Sequence, residues 1–311
     1  MADVVSQAGR ISDRHPTSTM NIIASIKVRI GPDMIDATEI TPAFLSGKLH
    51  EAQEVEANVA TGYHAIEFML WGQDLNGTGP GAGNRPASDF NVKNCTGGHC
   101  ERRVQFLTAA TDLLIADLQD MVAAWAPGGA ARMDIAGKSN KDAMATILTG
   151  LGSLSYGELA GERIKLGLLL HDPEEEHDCF SDNTHNSHYY NQVGMTALYF
   201  GNYKRIDGSY VKGPSLADYA STKAPTAHTG MDKMMSATLT KMQVMKDTAD
   251  SGAMAYDQMI GEGNRAGNKI IQDVVDGLVA QTKSIEKLVT ALDLNISVEG
   301  SDSLDNPSSI Q

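Results

Sequence analysis

Apolar residues recur at intervals of three and four along much of the chain, which is the spacing of one face of an α-helix. The first such stretch runs from Lys48 to Gly72. Gly- and Pro-rich sequence follows over 73–93, where regular structure is not expected. We therefore predict one long amphipathic helix ending before this loop, with an apolar face of Leu49, Ala52, Val55, Val59, Tyr63, Ile66 and Leu70.

The same spacing predicts the other helices. The second covers Glu101–Trp125 and ends at Pro127-Gly128-Gly129, and a third begins at Lys141 and runs to about Leu170. The short apolar segment from Met20 to Ile30 is compatible with either a helix or a strand, and no other stretch predicts a strand. Further helices are expected over 184–200, 216–220, 231–249 and 265–293. The apolar face of the second helix would comprise Val104, Leu107, Thr111, Leu114, Leu118, Met121 and Trp125.

Long helices joined by irregular loops indicate an all-α protein built from helical bundles. The segment 130–140 is the expected domain junction. Residues 1–137 would form a first bundle and 138–294 a second. Residues 295–311 are polar and rich in Ser and Asp, and are expected to be a disordered tail.

The third predicted helix contains several glycines, including Gly157 and Gly161 one turn apart. Each glycine costs a helix about 1 kcal/mol relative to alanine. We therefore expect this helix either to give another backbone room for close approach or to unwind locally.

Composition narrows the function. The chain has 311 residues, of which 41% are hydrophobic and 5% aromatic, and this balance favours packed helices. Its formal net charge is −14, so it has no basic footprint for a nucleic-acid partner. No apolar run approaches the roughly 20 residues of a transmembrane segment. The first thirty residues also lack the apolar core of a signal peptide.

The segment Gly62–Glu67 carries the first candidate chemistry. His64 and Glu67 are three residues apart, which places their Cβ atoms about 5–6 Å apart on a helix. Imidazole nitrogen and carboxylate oxygen are both good ligands for zinc or iron. The simpler interpretation is a histidine hydrogen bonded to a neighbouring glutamate.

The stretch from His171 to His188 is the most polar in the chain, with four histidines and six acidic residues. Asp182 and His185 lie in it as candidate metal ligands. On the preceding helix, Glu158 and Glu162 lie one turn apart beside Arg163. They would form either an intrahelical salt-bridge pattern or an acidic face aimed at His64, with Arg163 orienting a carboxylate.

Three cysteines complete the candidate chemistry. Cys95 and Cys100 enclose Thr-Gly-Gly-His, a tight loop that would hold a disulfide in an exported protein. In a reducing compartment, Cys95, His99 and Cys100 would instead suggest a metal clip. No fourth ligand is evident, which favours the disulfide. Cys179 is expected to be a buried thiol.

Two separate segments resemble the imelysin family. The sequence Gly-Tyr-His-Ala-Ile-Glu-Phe-Met-Leu-Trp-Gly-Gln-Asp, beginning at Gly62, resembles the Gly-x-His-x-x-Glu segment of that family, and specifically its iron-regulated protein A branch. Cys-Phe-Ser-Asp-Asn-Thr-His, beginning at Cys179, is similar to a second family signature, as is Gly161-Glu162-Arg163. The resemblance extends over roughly residues 35–294. The helical segment that usually precedes the motif is not evident, so the first bundle is expected to be abbreviated.

The resemblance implies two pseudo-symmetric bundles with a metal site in the cleft between them and His64 and Glu67 as ligands. It further implies a protein of the periplasm or outer cell envelope that takes part in iron uptake. The ligand would be iron or zinc, as the ion or an iron chelate, with haem as a further candidate. An envelope transport partner would receive the metal.

Two other functions are compatible with the same residues. The family is also associated with metallopeptidase activity, but zincin helices read His-Glu-x-x-His or His-x-x-Glu-His, and here Phe68 follows Glu67. Other residues would have to complete such a site and supply a base. The third candidate is a non-catalytic helical protein whose segment 171–188 docks an envelope partner.

Overall fold

The computed structural model describes residues 22–30, 32–54 and 59–310. These residues are mostly helical, as the sequence predicts, and they also contain two short antiparallel hairpins. The described residues form two compact units. The first comprises the chain up to Gly77, Gly81–Arg132 and the inserted segment His177–Asp182. The second comprises Thr78–Pro80, Met133–Glu176 and the chain from Asn183 onward.

The described part of the first unit includes a hairpin that the sequence did not clearly predict. Strand β1 pairs antiparallel with β2, and the side chains of Val28 and Ile30 on β1 are buried. The part of the ambiguous Met20–Ile30 segment that precedes Ile22 lies outside the described residues. The elements of this unit are β1 (Lys27–Ile30), β2 (Asp33–Asp36), α1 (Pro42–Phe44), a π-helical turn (Leu45–Leu49), a 3-10 turn (Ala52–Glu54), α2 (Gly62–Trp71), a 3-10 turn (Ala87–Phe90) and α3 (Cys100–Trp125).

The predicted single helix from Lys48 to Gly72 is wrong. The helix that carries His64 begins at Gly62, and Glu51 and Glu54 both adopt left-handed backbone conformations, with φ of 51° and 58°. A side chain in that conformation clashes with its own backbone, so a right-handed helix cannot continue through it. Val55, one of the predicted apolar positions, lies outside the described residues.

Helix α3 has the predicted length, but its buried face differs from the predicted one. Phe106, Ala109 and Ala110 are buried, whereas Leu118 and Trp125 are 45% and 52% exposed. Three-four spacing identifies a helix correctly, but it selects the wrong face when apolar residues occur on more than one side.

The second unit is organised around two long helices, α9 (Pro225–Asp250) and α11 (Arg265–Ala291). The apolar face of α11 buries Ile271, Val274, Leu278 and Ile285, and the methionines of α9 pack into the same core, as expected for gap-filling side chains. After α4 (Ala130–Gly137), which spans the junction of the units, the elements are α5 (Asn140–Ser153), a π-helix (Leu154–Lys165), α6 (Leu166–Leu170), a 3-10 turn (Pro173–Glu175), α7 (Thr184–Phe200), β3 (Asn202–Lys204), β4 (Tyr210–Lys212), α8 (Leu216–Lys223), α9 (Pro225–Asp250), α10 (Tyr256–Ile260), α11 (Arg265–Ala291), α12 (Asp302–Asp305) and a 3-10 turn (Pro307–Ser309).

The glycine-rich helix of the second unit receives the C-terminal segment. A Cβ added at Gly157 would lie 2.9 Å from the carbonyl oxygen of Glu299, and one added at Gly152 would lie 2.7 Å from a methyl group of Val298. Close approach of another backbone, one of the two predicted outcomes, therefore occurs. The helix is also π-helical from Leu154 to Lys165, so its regular α-helical hydrogen bonding is interrupted as well.

The chain beyond Asn295, for which composition predicts disorder, is structured here up to Ile310. Ser301 and Ser303 are buried, and Ser301 donates a hydrogen bond of 2.6 Å to Glu162. The physical reason is twofold: the glycines of the helix admit the backbone of this segment, and its apolar residues Ile296 and Leu304 pack against the core of the second unit.

Candidate metal site

Three potential metal ligands converge in the first unit. Helix α2 carries His64 and Glu67, with Nδ1 of His64 3.0 Å from Oε2 of Glu67. Asp178, from the inserted segment, places Oδ1 3.8 Å from the same Nδ1. One ligand atom from each residue lies within 4.8 Å of the other two. The side chains of His64, Glu67 and Asp178 are 20%, 9% and 14% exposed, respectively. The group is therefore largely shielded but can be reached from solvent.

Packing of the inserted segment positions Asp178. The ring of Phe180 meets that of Phe68 on α2 edge to face, with centroids 5.1 Å apart. The carbonyl oxygen of Phe180 accepts a 2.9 Å hydrogen bond from the N–H of Gly83. A Cβ at Gly83 would lie 2.7 Å from the carbonyl oxygens of Trp71 and Gly72, so this close approach requires glycine. The segment is therefore fixed against the helix that carries the other two ligands.

Ser181 fixes the carboxylate of Glu67. Its backbone N–H and its hydroxyl both donate to Oε1, at 2.9 and 2.6 Å. This leaves Oε2 directed at His64. Hydrogen bonds to a ligating carboxylate hold it in its binding orientation, as is common behind metal ligands.

Two further residues of the inserted segment lie near this group. The ring of His177 stands edge-on to that of His64, with centroids 4.7 Å apart. Burial, together with the negative charges of Asp74 and Glu67, raises the pKa of Asp182 to about 6. Asp182, which the sequence singled out, is therefore close enough to Glu67 for the two carboxylates to repel each other. The field here is strongly negative and would favour a cation.

The donor set fits a metal ion. Ligand atoms about 2.1 Å from zinc or iron lie about 3.0–3.4 Å apart. The 3.0 Å separation of His64 from Glu67 falls in this range, and the 3.8 Å separation of His64 from Asp178 would have to shorten on binding. An imidazole with two carboxylates suits Fe(II), Fe(III) or Zn(II). Without metal, the Nδ1–H of His64 would donate to Glu67. A metal bound at Nδ1 would take the place of this hydrogen bond, with the imidazole proton carried on Nε2 instead.

The acidic residues predicted on the third helix make contacts of their own in the second unit. Arg163 donates to Glu158 at 2.7 Å, which is the salt-bridge interpretation of that pair. Glu162 accepts the hydroxyl of Ser301 at 2.6 Å. Neither contact requires a metal, and the role of Glu158, Glu162 and Arg163 at the His64 site stays a prediction.

His185 also has a partner within the second unit. Its Nε2 lies 3.0 Å from Oδ1 of Asp250 at the end of α9, and Lys246 binds the other oxygen of that carboxylate. The hydrogen bond from Lys246 is the largest cause that lowers the pKa of Asp250. His185 thus joins a surface ion-pair network, and its role as a metal ligand stays a prediction.

The cysteines adopt the disulfide alternative in the structure. Cys95 and Cys100 are bonded, which closes the loop immediately before α3. Cys179 takes no part in the disulfide and is a buried thiol in the apolar core of the first unit. A metal clip of Cys95, His99 and Cys100 is thereby excluded in this oxidised form.

The sequence did not identify Asp178 or Ser181 individually, although both lie in the polar stretch from His171 to His188 that it singled out. Composition could not separate Asp178 from the five other acidic residues between His171 and His188. The signal that could have found both residues is their position around Cys179-Phe180, the only strongly apolar pair in that polar stretch, which predicts where the segment enters a core.

The fold and the site together define a mostly helical protein whose candidate metal ligands include a His-x-x-Glu pair on one helix. The sequence profile of the imelysin family matches residues 8–285, and the chain belongs to this family. No curated protein shows significant sequence similarity to the chain. No helix among the described residues is both long and apolar enough to cross a bilayer.

Proposed function

We propose that this protein binds iron through His64, Glu67 and Asp178. The observation that carries the proposal is the convergence of one imidazole and two carboxylates within 4.8 Å, in a partly shielded part of a single unit. Such a set of mainly oxygen donors binds iron in either common oxidation state, and zinc is the main competitor.

Binding and release of iron in the cell envelope, as one step of iron uptake, is the role we propose for this site. The support is membership of the imelysin family together with the resemblance of Gly62–Asp74 to its iron-regulated branch. Two carboxylates suit an iron ion or a small iron chelate, whereas haem iron is usually held by axial His, Met, Cys or Tyr. The same partial exposure that admits the ion would let a transport partner remove it.

Metal binding is favoured over peptide hydrolysis by the surroundings of Glu67. A general base needs a carboxylate oxygen directed at an attacking water. Here Oε1 accepts two hydrogen bonds from Ser181 and Oε2 faces His64. Oε2 is therefore placed to hold a ligand position, and Glu67 itself is not placed to accept a proton from water.

The test measures bound metal by equilibrium dialysis and titration calorimetry, with Fe(II) under anaerobic conditions and with Zn(II). We expect one ion per chain, and an affinity lower by about 100-fold or more in His64→Ala/Glu67→Gln. The matched control is His50→Ala/Glu39→Gln, which makes the same chemical changes elsewhere in the first unit. Unchanged affinity in the His64/Glu67 variant would defeat the proposal, as would metal-dependent peptide cleavage abolished by Glu67→Gln alone.

A further inference from the structure

The hairpin of β3 and β4 is exposed along its whole length. Its strands pair antiparallel, with Tyr203 opposite Val211 and Lys204 opposite Tyr210. Every residue from Asn202 to Gly213 is solvent exposed. A two-stranded ribbon of this kind has no buried face to stabilise it, so its sequence is free of the packing constraints that act on a core.

This ribbon nevertheless carries large apolar side chains. Ile206, at the turn, is completely exposed, and Tyr203, Tyr210 and Val211 are 57%, 55% and 44% exposed. Single exposed apolar residues are ordinary, but several on one small projection indicate an interaction surface. The fold does not bury the isoleucine at this turn, so packing within the protein does not explain its presence.

The ribbon is also basic, in contrast to the whole chain. It contains Lys204, Arg205 and Lys212 against the single carboxylate of Asp207, which makes two net positive charges, whereas the whole chain carries −14. Hydrogen bonds from Ser209 lower the pKa of Asp207, so this carboxylate is ionised. Lys212 places its ammonium 5.4 Å from the centroid of the Tyr210 ring.

The base of the ribbon is held in a defined position. Gly213 donates a 3.0 Å hydrogen bond to the carbonyl oxygen of Gly201. Gly201 has a left-handed backbone with φ of 58°, and a Cβ there would lie 2.8 Å from the carbonyl oxygen of Gly213. Beside this base, within the second unit, a cavity of about 860 Å³ is lined by Leu198, Tyr203 and Val211 among others. The apolar surface of the ribbon therefore continues into a groove.

We propose that this hairpin docks the protein onto an anionic lipid bilayer. Ile206 and the two tyrosines would enter the boundary between head groups and acyl chains, and Lys204, Arg205 and Lys212 would contact lipid phosphates. Tyrosine rings and basic side chains beside an apolar tip are the composition of membrane-interface segments. Lipid phosphates complement the local positive charge, and screening beyond about 8–10 Å limits repulsion from the acidic remainder of the chain.

The test is co-sedimentation of the full chain with vesicles of phosphatidylcholine alone or with roughly one-third phosphatidylglycerol. We expect binding to the anionic vesicles only, weakened by high salt. Each cation near an anionic surface contributes about fivefold, so Lys204→Ser/Lys212→Ser should weaken binding roughly 25-fold. Ile206→Ser should weaken it roughly tenfold through the lost apolar contact.

Matched controls come from exposed helical positions of the same unit. Lys233→Ser/Lys283→Ser removes the same charge, and Val244→Ser removes a similar apolar side chain that is 51% exposed. Both should bind vesicles as the wild type does, and circular dichroism should show all variants folded. The proposal is overturned if the wild type ignores anionic vesicles or if the controls lose as much binding as the hairpin variants. Association of two chains through the hairpin in place of vesicle binding would also overturn it.

Discussion

Nδ1 of His64 lies 3.0 Å from Oε2 of Glu67, one turn further along the same helix. Taken alone, this contact is an ordinary hydrogen bond within a helix. It becomes part of a candidate metal site because Asp178 approaches the same nitrogen and Ser181 holds the other carboxylate oxygen.

Ser181 is expected to act on metal affinity through Glu67. Ser181→Ala removes the 2.6 Å hydroxyl contact but keeps the backbone N–H that also donates to Oε1. The carboxylate becomes less well oriented, so affinity for Fe(II) or Zn(II) should fall about tenfold, with little change in melting temperature. Titration calorimetry measures the change. Ser46→Ala, at an exposed position of the same unit, should have no effect, and equal losses in both variants would refute this role.

Asp182 should make the metal-free protein less stable at neutral pH than in acid. Its pKa is about 6 in the folded chain against an ordinary 3.8, so between these values the folded state binds more protons than the unfolded state. The contribution of Asp182 to the free energy of unfolding therefore falls as pH rises from about 4 to about 6, and it stays low at higher pH.

Asp182→Asn removes this effect without disturbing the backbone, since asparagine also tolerates the left-handed φ of 53°. Because the side chain is only half buried, we expect a stabilisation of about 1 kcal/mol at pH 8 and almost none near pH 4. Urea unfolding at the two pH values measures the difference. An equal stabilisation by Asp182→Asn at both pH values would show that the charge of Asp182 is not the cause.

Two glycines of the same continuous helical segment should respond to alanine in opposite directions. At Gly157 the new Cβ would lie 2.9 Å from the carbonyl oxygen of Glu299, so Gly157→Ala should destabilise the protein by about 1–3 kcal/mol. Gly150 has no neighbouring atom within 4 Å, so Gly150→Ala should stabilise it by up to about 1 kcal/mol through helix propensity. Thermal unfolding of both variants provides the comparison. The same sign for both would contradict the packing of the C-terminal segment.

The sequence predicted the long helices well because three-four spacing over many residues is a local signal. Helix α11, predicted over 265–293 and observed over Arg265–Ala291, shows this clearly. The start of α2 was missed because Glu51 and Glu54 adopt left-handed conformations that apolar spacing does not reveal. The hairpin of β3 and β4 was missed because its short exposed strands lack the alternation of a half-buried sheet. The segment of β1, whose Val28 and Ile30 are buried in alternation, was left open between helix and strand.

The candidate site was only half predictable for a related reason. His64 and Glu67 are neighbours on one helix, so their spacing alone brings them together. Ser181 is 114 residues from Glu67, and its approach depends on Phe180 packing against Phe68. Such a contact is a tertiary property. Spacing within one segment carries no information about it, so the spacing that identified His64 and Glu67 could not identify Asp178.

The most direct test of the central claim is anomalous diffraction at the iron edge from crystals soaked with Fe(II) under anaerobic conditions. We predict one strong peak about 2.0–2.4 Å from Nδ1 of His64 and from carboxylate oxygens of Glu67 and Asp178. The peak should be absent from crystals of His64→Ala/Glu67→Gln. A peak elsewhere, for instance beside His185 and Asp250, with none at His64 would contradict the assignment.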